Sequence, residues 1–198
     1  MNKKNNIFLL FLFMFCGVLH AQDEESMGPV HSPKLDKENG FKKLVIGAKM
    51  NDIKSILQKT KLDPAQLRNA ESFLPDYNTS AYLVDLKKGY STFLGFKVDR
   101  IEVLFGPDMM AETENAPDAI SRVTIYFKKE GENQKKLPLK LFEAYGGAYP
   151  VIDFPETGDD TILWAGENAL MVFGNYYGSE DAPKRDFLVV SFSSAKGG

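Results

Sequence analysis

Residues 122–127 read Arg-Val-Thr-Ile-Tyr-Phe, so that Val123, Ile125 and Phe127 alternate with Arg122, Thr124 and Tyr126. Successive side chains of a strand point to opposite faces, which puts the three apolar residues on one side. Such alternation marks a strand with a core on one face and water on the other, typical of an antiparallel sheet. The same period runs upstream, where Ile101, Val103 and Phe105 lie opposite Arg100 and Glu102 at the end of an extended stretch from Phe93. Gly106-Pro107-Asp108 breaks that run, and Tyr82 to Leu86 predicts an earlier strand turned by Lys87-Lys88-Gly89. Downstream, Thr161 to Ala165, Ala169 to Gly174 and Phe187 to Ser193 predict three more, with Gly166-Glu167-Asn168 turning the first pair.

Helical spacing precedes each set of strands. Phe41 to Ile46 predicts a short strand closed by Gly47, after which Asn51 can cap a helix with Asp52 at its positive end. Ile53, Ile56 and Leu57 fall at i, i+3 and i+4 on one face. Asp63-Pro64-Ala65-Gln66 has the form of a capped start with Pro at the first helical position, and that helix is expected to end before Pro75. Leu137 to Tyr145 predicts a third helix, with Leu137, Leu141, Ala144 and Tyr145 on its buried side and Gly146-Gly147 as its stop. The resulting order is helix, three strands, helix, three strands. Phe93-Leu94-Gly95 through Phe105 echoes Leu163-Trp164-Ala165-Gly166 through Phe173. We therefore expect an α+β fold of two similar helix-plus-antiparallel-sheet halves, residues 41–132 and 133–198, packed as one unit. Halves of that size bury surface inefficiently alone, which favours packing one on the other.

The N-terminal segment reads differently. Residues 1–21, MNKKNNIFLLFLFMFCGVLHA, carry Lys3 and Lys4, then an unbroken apolar run from Ile7 to Phe15, then the small residue Ala21 before a polar stretch. This three-part pattern predicts a secretory signal peptide, and the run is short for a bilayer span of about 20 residues. Phe15 and Phe13 stand where a lipoprotein site would have a small residue and Leu, so Cys16 reads as apolar filler. Residues 22–40 are polar and punctuated by Gly28, Pro29 and Pro33, which predicts a flexible tether. The expected location is periplasmic or secreted.

Cleavage after Ala21 would remove the lone Cys16 and one of the two histidines, His20, leaving His31 inside the tether. Disulfides, thiolate nucleophiles, Cys/His zinc sites and most imidazole-dependent mechanisms are then excluded. The formal charge of −3, from 24 Lys+Arg against 27 Asp+Glu, gives no reason to expect nucleic acid. No Gly-rich phosphate loop is present, since Gly146-Gly147 lacks the flanking pattern. Carboxylates are the one reactive class in number: Asp153, Glu156, Asp159 and Asp160 crowd a turn that could offer oxygen ligands to calcium, without EF-hand spacing. No metal site or cofactor is assigned. Asp160-Thr161-Ile162 is similar to the O-glycan acceptor pattern of exported Bacteroidota proteins.

The stretch Phe41-Lys42-Lys43-Leu44-Val45-Ile46-Gly47 leading to Ile53 and Leu57 resembles the opening of small exported α+β modules. Leu141-Phe142-Glu143-Ala144-Tyr145-Gly146, Tyr149-Pro150 and Trp164-x-Gly166 resemble their second half. That group includes the SmpA-type outer-membrane assembly lipoproteins, the β-lactamase-inhibitor-protein fold and uncharacterised secreted proteins of Bacteroidota. The resemblance implies a two-repeat, non-catalytic protein-binding module. Aromatic residues supply the candidate contacts, because Tyr and Trp give large contact area at low entropic cost. Tyr176 and Tyr177 sit side by side in a polar loop, with Trp164 and Tyr149 as further binding candidates. The leading expectation is an exported interaction module that binds another exported or envelope protein and has no stable membrane insertion after cleavage. The alternatives are a small carboxylate-dependent hydrolase and a binder of a small apolar ligand between the halves.

Overall fold

The computed structural model of the chain describes residues 32–62, 79–106, 117–147, 149–154, 159–175 and 187–195. A short helix α1 (Pro33–Lys37) leads into a small hairpin of β1 (Gly40–Phe41) and β2 (Leu44–Val45). A one-turn helix α2 (Met50–Ile53) tightens into a 3₁₀ turn over Lys54–Ile56 and passes directly into β3 (Leu57–Leu62). Then come β4 (Ser80–Val84), a second hairpin of β5 (Thr92–Phe93) and β6 (Phe96–Lys97), β7 (Arg100–Phe105) and β8 (Ile120–Lys128). Helix α3 (Asn133–Tyr145) is followed by β9 (Tyr149–Phe154), β10 (Asp159–Ala165), β11 (Ala169–Asn175) and β12 (Phe187–Ser194). The fold is α+β, and its main sheet has eight strands in the order β3-β4-β7-β8-β12-β11-β10-β9, with every neighbouring pair antiparallel.

The alternating stretch lies at the centre of this sheet. Ile125 of β8 is opposite Ile101 on one side and Val190 on the other, and Val123 is opposite Val103 and Phe192. All six are buried in the main core, which α3 covers with Leu137, Leu141 and Tyr145. Ala144, expected on that side too, is half-buried.

The second face of the central strands departs from the expectation of a watered surface. Thr124 and Tyr126 are buried, as is Glu102 on β7. Burial is sustained because their polar atoms are paired: the Tyr126 hydroxyl donates to Glu102 Oε2 at 2.6 Å, and Arg100 Nη2 lies 2.6 Å from Glu102 Oε1. Thr124 and Ser191 hydroxyls meet across the β8–β12 seam at 3.3 Å, and the Phe187 ring stands edge-on to Tyr126.

Three local expectations are corrected. The strand foreseen over residues 41–46 is a hairpin, because Lys42 takes a left-handed conformation (φ 58°) and folds the chain back. The helix foreseen from Asn51 begins at Met50 with Lys49 as N-cap and lasts one turn; Asp85 N–H donates to Ile56 O, and Leu57 joins the sheet opposite Val84. The tether expected over 22–40 is packed from Ser32 onward. Ser32 caps α1 by accepting from Leu35 N–H, donates from its own hydroxyl to Tyr145 O at 2.5 Å, and donates its N–H to Ala165 O at 2.8 Å. Leu35 is fully buried, and Asp36 accepts from the Glu167 and Asn168 amides at 2.9 and 2.8 Å. A methyl group at Gly166 would overlap the Asp36 carboxylate. This segment is thus a strap across the β10–β11 turn and the end of α3. The expected signal peptide, the rest of the tether with His31, and the helix foreseen from Asp63 lie outside the described residues.

Strands β3 and β9 are additions to the sequence reading, so among the described residues four strands of the main sheet, rather than three, follow each of α2 and α3. Helix α3 also starts about one turn earlier than foreseen and tolerates Pro138 inside it. It ends at Gly146, whose φ of 84° suits a residue without Cβ.

Candidate functional site

Trp164 has no exposed surface. Its indole N–H donates to Gly146 O at 3.0 Å, so the ring fastens the end of α3 to β10 and is a core residue rather than a contact residue. Tyr149 lies on the neighbouring edge strand, where its backbone pairs with Leu163. Tyr176 and Tyr177 lie outside the described residues, as does the acidic turn from Pro155 to Gly158. The structure therefore brings the Tyr149 and Trp164 positions together on adjacent strands and leaves the other pair unplaced.

Above Trp164 lies an apolar surface outside the four aromatic candidates. Phe142 of α3 packs on the Trp164 ring with centroids 5.2 Å apart while remaining 38% exposed, and Leu139, one turn earlier, is 60% exposed. These are the exposed large hydrophobic residues among those described. Leu137, Leu141 and Tyr145 hold the inner face of α3, which turns Leu139 and Phe142 outward at i and i+3. Lys135, Lys136 and Lys140 flank them, with Lys136 paired to Glu132 and Lys140 to Glu143. The sequence did carry a signal for this face: two large apolar residues off the buried stripe of a helix that is otherwise amphipathic.

The buried polar cluster of Arg100, Glu102 and Tyr126 has a different character. Both Glu102 carboxylate oxygens hold partners, and the cluster ties β7 to β8. Among the described residues no group of three or more His, Cys, Asp or Glu converges as a metal site would require. Burial pushes the Tyr145 hydroxyl up to about 12, with the charge of Glu38 acting in the same direction. Burial also raises Tyr90, against the lowering effect of a hydrogen bond from the Lys43 backbone. Lys49 holds Asp118 below the usual carboxylate range through a 2.9 Å contact at the surface.

Comparison with known proteins finds no matching family model, no similar curated protein and no similar solved structure. Among the described residues no helix is long and apolar enough to cross a membrane.

Proposed function

We propose that this chain is an exported, non-catalytic interaction module of the cell envelope or secreted fraction, which meets another exported or envelope protein through the outer face of α3. The observation that carries this reading is the pair Leu139 and Phe142, exposed on the outer face of α3, with Phe142 seated on the Trp164 ring. Removing such apolar surface from water is favourable, so a partner that covers both side chains gains from the contact. The order of the sheet supports the accompanying proposal of two similar halves. Read inward from either edge, four strands follow in chain order, and the last strand of each set meets the other at the β8–β12 seam.

The test is affinity capture from envelope extract with the wild type and a Leu139→Asp variant. Leu139 makes little contact with the core, so the variant keeps its fold, which circular dichroism checks. Loss of the specific partners supports the proposal. The same partners at the same yields would rule out α3 as the contact face.

A further inference from the structure

A second feature lies at the end of the sheet where β7 begins and β8 ends, away from the exposed face of α3. There the 3₁₀ turn over Leu86–Lys88, strand β6 and the loop into α3 enclose a cleft of about 260 Å³. Leu86 and Val98 give it an apolar base, with Val98 buried in the main core. Lys97 and Asp99 form one side, and Lys128, Glu130 and Asn133 the other. The frame is fixed by hydrogen bonds to backbone carbonyls: Val98 N–H donates to Ser91 O, Asp99 N–H to Tyr126 O, and the Asn133 side-chain Nδ2 to Lys128 O at 3.0 Å.

Lys49, Lys136 and Lys140 each close onto a carboxylate. Lys97, Lys128 and Glu130 share one small cleft, yet no ion pair forms among them and none has a hydrogen-bonding side-chain partner. Two ammonium groups and a carboxylate held apart around a cavity leave room for a molecule that supplies the complementary groups. A purely anionic guest would face repulsion from Glu130, and an apolar guest would strip water from every charge without replacing it. Asn133 has its amide N–H₂ engaged and keeps a carbonyl oxygen to accept from a donor.

We infer that the cleft binds a small zwitterion of amino-acid or dipeptide size, its carboxylate held by Lys97 and Lys128 and its ammonium by Glu130 and Asn133. The volume sets the upper size, since it lies at the small end of ligand sites. Charge-assisted hydrogen bonds at both ends supply the selectivity.

The experiment follows backbone amide shifts of the isotope-labelled protein while millimolar diglycine, N-acetyl-diglycine or diglycine amide is added. Diglycine is expected to give saturable shifts confined to Leu86, residues 97–99 and residues 128–133. Each capped analogue is expected to bind about tenfold more weakly, the value of one lost charge-assisted contact. Lys128→Gln and Glu130→Gln should each weaken diglycine by a similar factor, whereas Lys140→Gln should leave it unchanged. The rest of the amide spectrum reports whether each variant is folded. Absent or non-saturating shifts with diglycine, or capped analogues that bind equally well, would overturn the assignment. Binding of N-acetyl-diglycine alone would overturn it too, in favour of a simple anion site.

Discussion

At the scale of single residues, the buried hydroxyl of Tyr145 couples the fold to pH. Its proton is retained up to about 12 in the folded chain, whereas the unfolded chain gives it up near the ordinary phenol value of about 10. Between those values the unfolded state binds fewer protons than the folded one, so stability falls as pH rises. The contribution is fully present below pH 10, and its loss amounts to about 3 kcal/mol once both states have ionised. Urea midpoints measured across this alkaline range should drop in the wild type and drop less in Tyr145→Phe, which is expected to keep its stability near neutrality. Tyr90 acts in the same direction and leaves a residual slope. Legibility at this scale was uneven. Alternation alone placed Val123, Ile125 and Phe127 in the core, but it assigned Tyr126 and Glu102 to water. Their burial depends on a hydroxyl–carboxylate contact between residues on different strands, which no local pattern encodes.

Among the elements, the strap is the one whose loss should matter most for its length. Leu35 brings a fully buried side chain to the core, and Asp36 accepts from two amides of the β10–β11 turn. Leu35→Ala should cost about 2–5 kcal/mol. Asp36→Ala should cost about 1–2 kcal/mol, because its amide partners are exposed and regain water. Denaturant titrations give both values, and hydrogen exchange should show the Glu167 and Asn168 amides losing protection in either variant. Ser32 before Pro33 was a readable cap signal, but the flanking polarity and prolines read as tether, and the partners lie more than a hundred residues away. The two edge strands were missed for related reasons. In β3, Gln58 to Lys61 are all exposed, so no alternation survives, and Leu57 had already completed a helical spacing with Ile53. In β9, Pro150 interrupts the pattern. Those irregularities serve the sheet: Lys59 and Lys61 on one edge, Pro150 on the other, and a register shift beside each discourage pairing with another chain. The inward strands, from Arg100 to Phe105 and from Ile120 to Lys128, were legible because one of their faces is uniformly apolar.

Over the whole molecule, the β8–β12 seam makes the sheet continuous, and the core runs across it without a break. Phe93 of the small β5–β6 hairpin touches both Phe127 of β8 and Phe192 of β12. Such a core should unfold in one step. Trp164 is the single tryptophan of the chain and sits on β10, so its fluorescence reports one side of the seam while far-ultraviolet circular dichroism averages over all strands. The two probes are expected to give coincident denaturant midpoints. Separated transitions would mean that the strands on either side of the seam hold together independently.

The strap also dictates an order of assembly. Synthesis delivers Ser32 to Lys37 before any of the surfaces they grip, since those surfaces are built from the C-terminus of α3 and the β10–β11 turn. Until those later residues emerge, the strap lacks the helix end and turn that it bonds to. The earliest described segment made therefore docks only after residues more than a hundred positions further on have been made.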